Sequence, residues 1–282
     1  MLSDVIDRLA CPLCAGDVWI TAGCVRCAAG HSFDIARQGY VNLLPGGARA
    51  GTADTAEMVR ARGEFLGAGH YAALSGRVRD LVVPRLGAGS CVLDAGAGTG
   101  HYLAAVLDGA PESAGLALDV SKYALRQAVR RHPRIGAAVW DVWRPFPVRD
   151  GAAAVILNVF APRNGPEFRR ILRPDGILLV VTPGPDHLRE LVGPLGLLSV
   201  DEHKRERIDD VLGGHFIPAG TERHQVPMSL TRAEAAALIG MGPSAHHIPP
   251  PELAGRLEQL PDPLPVTASF EIALFHALPC PR

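Results

Sequence analysis

Two stretches hold residue types that could do chemistry. The first is Cys11 to Asp34, CPLCAGDVWITAGCVRCAAGHSFD, which contains four cysteines and one histidine. Thiolates and a neutral imidazole are the donors zinc takes, and a closed structural site takes four of them in a tetrahedron. Cys11 and Cys14 form a C-x2-C knuckle across Pro12-Leu13. The other half of the site can be closed in two ways: Cys27 with His31 gives a C-x3-H pair, while Cys24 with Cys27 gives a second C-x2-C knuckle. Both spacings suit zinc, so spacing alone leaves His31 and Cys24 as rivals. A closed set of four has no open coordination position, which makes Zn2+ here structural rather than catalytic. Between the ligands, Asp17 to Gly23 reads as a short hairpin. A lobe of about 40 residues lacks the apolar core to fold alone, and a metal substitutes for it.

The second stretch is CVLDAGAGTGHY, residues 91–102. Cys91 to Leu93 is an apolar run that reads as a buried strand, and Asp94 closes it. Gly96, Ala97, Gly98 and Gly100 form a turn, and His101 opens a helix. Strand, glycine turn and helix begin a doubly wound α/β fold, and glycines let a ligand approach the backbone. A pyrophosphate favours bare amides at a helix start, and the Asp94 carboxylate would repel it. The same carboxylate suits a cationic ligand bearing an amino group and a sulfonium.

The elements around this turn follow in order. A strand over Gly115–Asp119 ends in an acid 25 residues after Asp94, placed to accept both hydroxyls of a ribose. Ser121 caps the helix KYALRQAVRRH. A third strand, Gly136–Trp140, ends at Asp141, and a fourth, Ala152–Asn158, ends in an amide. The helix GPEFRRILRPDG and a turn over Leu172–Gly176 lead to a fifth strand, Ile177–Val181. Residues 193–225 are polar, glycine-punctuated and without clean period, and read as a lid. Then come a strand over Val226–Leu230, a capping-box start at Thr231–Glu234, and a final strand over Ala268–His276. The expected core is a seven-stranded sheet with one antiparallel edge strand.

Composition narrows the function. The chain has 282 residues, 48% of them hydrophobic, and a net charge of −1. It is long enough for one large core plus a small appendage, and it is no polycation, so any nucleic-acid surface must be local. No run approaches the ~18 apolar residues of a membrane span. The N-terminus lacks a signal-peptide pattern, which points to the cytoplasm, where cysteines stay reduced. Arg37, Arg49, Arg60, Arg62, Arg77 and Arg79 are the candidates for such a local surface, although residues 1–90 hold nine Arg against eight acidic residues. Arg126, Arg130, Arg131 and Arg134 form a second cluster, which also fits ordinary helix-end charge.

Asp94-x-Gly96-x-Gly98-x-Gly100 at a strand end resembles motif I of the class I S-adenosylmethionine methyltransferases. Three more stretches sharpen this: HSFD…GYVNLL (31–44), AEMVRAR…FLGAGHY (56–71) and TPGPDHLREL (182–191). With the ribbon and motif I they are similar to the bacterial 23S rRNA guanine-N1 methyltransferases of the RlmA type, including the tylosin-class macrolide-resistance relatives from actinomycetes. The resemblance runs from Cys11 to about Leu191 and returns weakly in the last strands.

The resemblance implies a zinc-binding module over 1–45, a helical connector and cofactor lid over 46–86, and an S-adenosylmethionine-dependent methyltransferase domain over 87–282. It matches the metal ligands to Cys11, Cys14, Cys27 and His31, with no counterpart for Cys24. It implies cofactor contacts from Asp94, Gly96, Ala97, Gly98, Gly100, Asp119 and Asp141, with Tyr71 as a lid and His187 near the methionine carboxylate. Asn158 lies where such enzymes contact substrate. It can hold a base edge but cannot take the guanine N1 proton. His70, His101 and His187 are the titratable candidates for that task. The expected partner is 23S rRNA or the large ribosomal subunit, with pairing into a homodimer implied by relatives. Two other functions compete: methylation of a small molecule, which needs no zinc module, and non-catalytic RNA binding, which needs no acid beside the glycines.

Overall fold

The computed structural model describes residues 1–46, 53–196, 211–242 and 248–279. At the N-terminus, β1 (Val18–Thr21), β2 (Cys24–Cys27) and β3 (Ser32–Asp34) form an antiparallel sheet. The hairpin expected from the sequence is β1–β2, turning at Ala22 and Gly23, whose φ angles are 48° and 77°. Only Val18, Val25 and Cys27 of the first two strands are buried, so the lobe has almost no apolar core of its own.

The chain then supplies β4 (Tyr40–Asn42), which joins a different sheet. Helices α1 (Ala56–Gly67) and α2 (Ala72–Val82) connect it to the doubly wound core. The core strands are β5 (Cys91–Ala95), β6 (Ala114–Asp119), β7 (Ile135–Val139), β8 (Ala153–Val159), β9 (Leu172–Pro183), β10 (Phe216–Leu230) and β11 (Leu264–Ala277). Helices α3 (His101–Asp108), α4 (Lys122–Arg131), α5 (Gly165–Ile171), α6 (Arg189–Leu195), α7 (Arg232–Gly240) and α8 (Pro250–Glu258) intervene. Strand order is β10-β11-β9-β8-β5-β6-β7-β4.

Alternation along the parallel strands feeds two cores. Val92, Ala117, Val155 and Leu157 face one side with Leu103 and Leu107 of α3 and Leu125 of α4. Leu93, Leu116, Leu118 and Ile156 face the other with Phe168 and Ile171 of α5. Both faces being covered explains the near-continuous apolar runs read as strands. The first residues also pack there: Leu2, Val5 and Leu9 belong to the second core. Gly136 makes room for them, since a Cβ at that position would lie 2.4 Å from Val5 Cγ2.

Four expectations change. The sheet has eight strands rather than seven, because Tyr40–Asn42 pairs in parallel with Ala137–Val139. The antiparallel strand is β11, which lies between β9 and β10 instead of at the edge. The helix after β8 ends at Ile171, and Leu172 already pairs with Ala153; register slips before Val155 meets Ile177, so the expected turn is a bulge inside β9. Of the expected lid, 197–210 lies outside the described residues, and 216–225 is strand. There β10 pairs with β11, while Ile217–Thr221 are exposed, so the stretch shows no apolar alternation. The caps hold as read: the Ala124 amide donates to Ser121 Oγ, and Thr231 with Glu234 forms a capping box.

Candidate functional site: a glycine-turn crevice and a metal centre

Cys11 and Cys14 sit on the loop before β1, Cys27 ends β2, and His31 precedes β3. One donor atom from each of the four lies within 4.8 Å of the others. His31 Nδ1 is 3.4 Å from both Cys11 Sγ and Cys27 Sγ, and Cys14 Sγ is 3.7 Å from Cys27 Sγ. Metal–sulfur bonds of ~2.3 Å in a tetrahedron put sulfurs roughly 3.8 Å apart, so the set fits zinc. Tight turns aim the donors: the Cys11 amide donates to Gly16 O at 2.8 Å, and the Gly30 amide donates to Cys27 O at 3.0 Å. Cys24 stays outside, with its Sγ 3.3 Å from Asp34 Oδ1. Cys24 and Cys27 have opposite parity on one strand, so their side chains leave opposite faces. This resolves the rivalry in favour of His31.

The second site lies at the C-terminal ends of β5, β6 and β8. Asp94 is 1% exposed, and its Oδ1 has no hydrogen-bond partner among the described residues. Burial, reinforced by the nearby Asp119 charge, pushes its carboxyl up to about 8. A buried acceptor left without a donor is costly, and a donor-bearing cation would satisfy it. The turn that follows is built on left-handed glycines, with φ of 81° at Gly96, 53° at Gly98 and 70° at Gly100. A Cβ at Gly96 would stand 2.4 Å from the Ala161 methyl. The amides of Gly96 and Ala97 donate to Leu118 O at 2.8 and 3.0 Å, which ties the turn to β6.

Asp119 completes the floor. Its Oδ2 accepts the Gly98 amide at 2.8 Å and its Oδ1 accepts the Ser121 amide at 2.7 Å. Burial raises its carboxyl above the ordinary value, against the lowering pull of these two amides. Asp141 follows β7, the next strand, and accepts the Trp143 amide at 3.0 Å. The structure thus brings Asp94, Gly96, Ala97, Gly98, Gly100 and Asp119 together, with Asp141 one strand further along.

An aromatic wall closes the other side. Tyr71, at the N-terminus of α2, is 2% exposed and meets Phe65 and Phe270 edge-on at 5.2 and 5.0 Å. The ring of His187 lies 5.1 Å from the same Phe270, and its Nδ1 is 2.9 Å from Ser269 O. Phe160 follows at 5.6 Å from Phe270 and 6.3 Å from Tyr102. Asn158 is fully buried; its Nδ2 donates to Ala95 O at 3.2 Å and Pro162 O at 2.8 Å, while Oδ1 has no partner among the described residues.

All three histidine candidates are engaged, His187 through Ser269 O as above. His70 Nε2 meets Glu234 Oε1 at 3.0 Å. His101 Nε2 meets Ser75 Oγ at 2.7 Å, and burial, then the Arg131 charge, brings it down to about 4. Sequence reading named neither Phe270, the common neighbour of Tyr71 and His187, nor the bracing role of Arg62. That guanidinium pairs with Asp54 and donates to Met241 O at 2.8 Å. A Cβ at Gly98 would lie 3.3 Å from its Nη1. No short-range pattern carries these long-range meetings.

The arginines divide. Arg77 pairs with Glu222 at 2.6 Å and Arg79 with Asp80 at 2.9 Å. Arg134 is internal bracing: it donates to the carbonyls of Ala110, Ser113 and Leu107, each at 2.5 Å, around the end of α3. Arg49 lies outside the described residues.

Comparison with known proteins agrees with this geometry. The family profile of the RlmA N-terminal zinc ribbon matches residues 9–49, which include all four metal donors. A chain from Micromonospora griseorubida assigned as a 23S rRNA (guanine-N1)-methyltransferase is 52% identical over 99% of this chain and 100% of its own. The 23S rRNA (guanine(748)-N(1))-methyltransferase of Streptomyces fradiae is 49% identical, over 99% of this chain and 100% of that one. This chain belongs to the 23S rRNA guanine-N1 methyltransferase family. A more distant member, YxjB of Bacillus subtilis, is 35% identical over 64% of this chain and 66% of its own. The doubly wound sheet with its N-terminal ribbon is thus the class I methyltransferase fold of that family. No helix among the described residues is long and apolar enough to cross a membrane.

Proposed function

We propose that the protein transfers the methyl group of S-adenosylmethionine to N1 of a guanine in a 23S rRNA hairpin: the S–CH3 bond breaks as N1–CH3 forms, the N1 proton is released, and S-adenosylhomocysteine leaves. The observation that carries this reading is the orphaned Asp94 Oδ1, buried beside a glycine turn whose neighbouring strand ends in Asp119. S-adenosylmethionine supplies an electrophilic methyl on a sulfonium. Asp119 accepts the ribose hydroxyls, since each of its oxygens keeps a lone pair after bonding one amide. Asp94 faces the positive end of the cofactor. Gly96, Ala97, Gly98 and Gly100 let it lie on the backbone, and Asp141 meets the adenine amino group. Tyr71 covers it, and His187 takes the methionine carboxylate.

The protein's contribution is alignment and exclusion of water around an in-line displacement. Asn158 has spent its Nδ2 on Ala95 and Pro162. Its remaining Oδ1 is an acceptor, which suits the N–H donors on the guanine edge. Cys11, Cys14, Cys27 and His31 hold Zn2+ and so shape the front lobe, which presents the RNA. A hairpin loop offers a base already outside a regular stack.

The test is transfer of labelled methyl from S-adenosylmethionine to 23S rRNA, free or within the large subunit. A primer-extension stop then maps the base, because a methyl on N1 blocks pairing. A single stop at a guanine is expected, together with reduced susceptibility to tylosin-class macrolides in cells expressing the protein. Label on small molecules alone, or on no acceptor at all, overturns the reading.

A further inference from the structure

Phe160 is a large apolar side chain left 41% exposed at the crevice. Its backbone is left-handed, with φ of 55°. A bulky residue there is strained, and such strain persists only where the surroundings enforce it. They do: the Phe160 amide donates to Val181 O at 3.0 Å. Two residues on, Pro162 O accepts Asn158 Nδ2 at 2.8 Å. Between them, the Ala161 methyl fills the space that a Gly96 Cβ would need. The turn 159–162 is therefore clamped on both sides, and it carries a phenyl ring outward beside the exposed Pro162. That ring is flanked by Phe270 at 5.6 Å and Tyr102 at 6.3 Å.

Position in the sheet says what the ring meets. Asp119 and Asp141 close β6 and β7, on one side of β5; Phe160 follows β8, on the other side. The carboxylates suited to the adenosyl group thus lie away from the ring, which leaves the ring on the acceptor's side. The acceptor there is planar, and unstacked RNA bases settle on aromatic faces. Asn158, with Oδ1 unpartnered, is two residues away.

We propose that the Phe160 ring is the platform on which the extruded target guanine stacks, while the buried Asn158 braces the turn that carries it through Ala95 O and Pro162 O. This rests on the function proposed above. It adds a substrate-positioning residue and a reason for the strained backbone: the left-handed turn projects the ring outward.

Phe160→Gly and Phe160→Tyr separate ring from backbone. Glycine adopts φ of this sign freely, so Phe160→Gly removes the ring without disturbing the turn. Three measurements are made on each full-length protein: melting temperature, S-adenosylmethionine affinity by calorimetry, and methylation rate against RNA concentration. Phe160→Gly should keep its melting temperature and cofactor affinity while kcat/KM for RNA falls at least about tenfold, the scale of one lost base–aromatic stack. Phe160→Tyr should recover most of that loss. If wild type labels RNA and Phe160→Gly labels it equally well, the platform is refuted and the function stands. The platform is also refuted if Phe160→Tyr is as defective as Phe160→Gly with cofactor binding intact. If wild type labels no RNA, the function falls and the platform with it.

Discussion

Asp119 and Gly98 are joined by a 2.8 Å hydrogen bond from the glycine amide to the carboxylate Oδ2, so one acid shapes the turn it would share with a ligand. Asp119→Ala is expected to weaken S-adenosylmethionine binding by about 10- to 100-fold, the scale of one lost hydrogen bond to a charged group. Asp119→Asn, which keeps an acceptor, should lose less. Calorimetric titration measures both, and equal affinity for Asp119→Ala and wild type would remove this residue from the site.

Asp94 carries a pH prediction. Burial lifts its carboxyl to about 8 in the unliganded protein, from roughly 4 in an unfolded chain. The native state therefore holds a proton that the unfolded state has lost between these values, and stability should decline as pH rises from about 4 to 8. A cationic ligand favours the ionised acid, so cofactor affinity should strengthen over the upper part of that window and level off above pH 8. At pH 7 binding should release a proton. Calorimetry in buffers of different ionisation enthalpy detects that proton, and Asp94→Asn should abolish it.

The metal centre separates its two candidate donors. Cys24→Ser should retain one equivalent of zinc, because Cys24 Sγ contacts Asp34 and not the other donors. His31→Ala should lose zinc readily to a chelator and melt earlier. Metal release followed with a chromogenic chelator distinguishes the two, and zinc loss from Cys24→Ser would contradict the assigned set.

Arg134 tests structural against nucleic-acid roles for the basic cluster. Its guanidinium spans three carbonyls around the end of α3. Arg134→Ala should destabilise the fold by about 2 kcal/mol, the loss expected for part-buried charged hydrogen bonds. Affinity for RNA should be unchanged at low temperature. Thermal melting and filter binding measure the two, and a drop in RNA affinity without destabilisation would reverse the assignment.

How far these sites are legible in the sequence depends on the range of the interactions. Asp94, Asp119 and Asp141 announce themselves because parallel strands buried on both faces make unbroken apolar runs, and each acid marks where one stops. The choice of His31 over Cys24 came from the family resemblance alone: the hairpin read over Asp17–Gly23 stops short of Cys24, and it is the extent of β2 that sends Cys24 and Cys27 to opposite faces. Phe270 was not readable. It belongs to the last strand, and nothing local shows that it stands between Tyr71 and His187. The first half of β10 escaped for another reason, since Ile217–Thr221 face solvent and carry no two-residue period.

Tyr40–Asn42 binds the metal lobe to the body of the protein along a parallel seam with β7. The lobe is therefore no cassette to be grafted onto another enzyme. Cut away, it would leave one bare flank on itself and another on β7, each a template for foreign chains. A chimera that exchanges only the ribbon strands and leaves residues 35–46 in place should assemble, whereas one spliced just after β4, which takes Tyr40–Asn42 away with the ribbon, should clump.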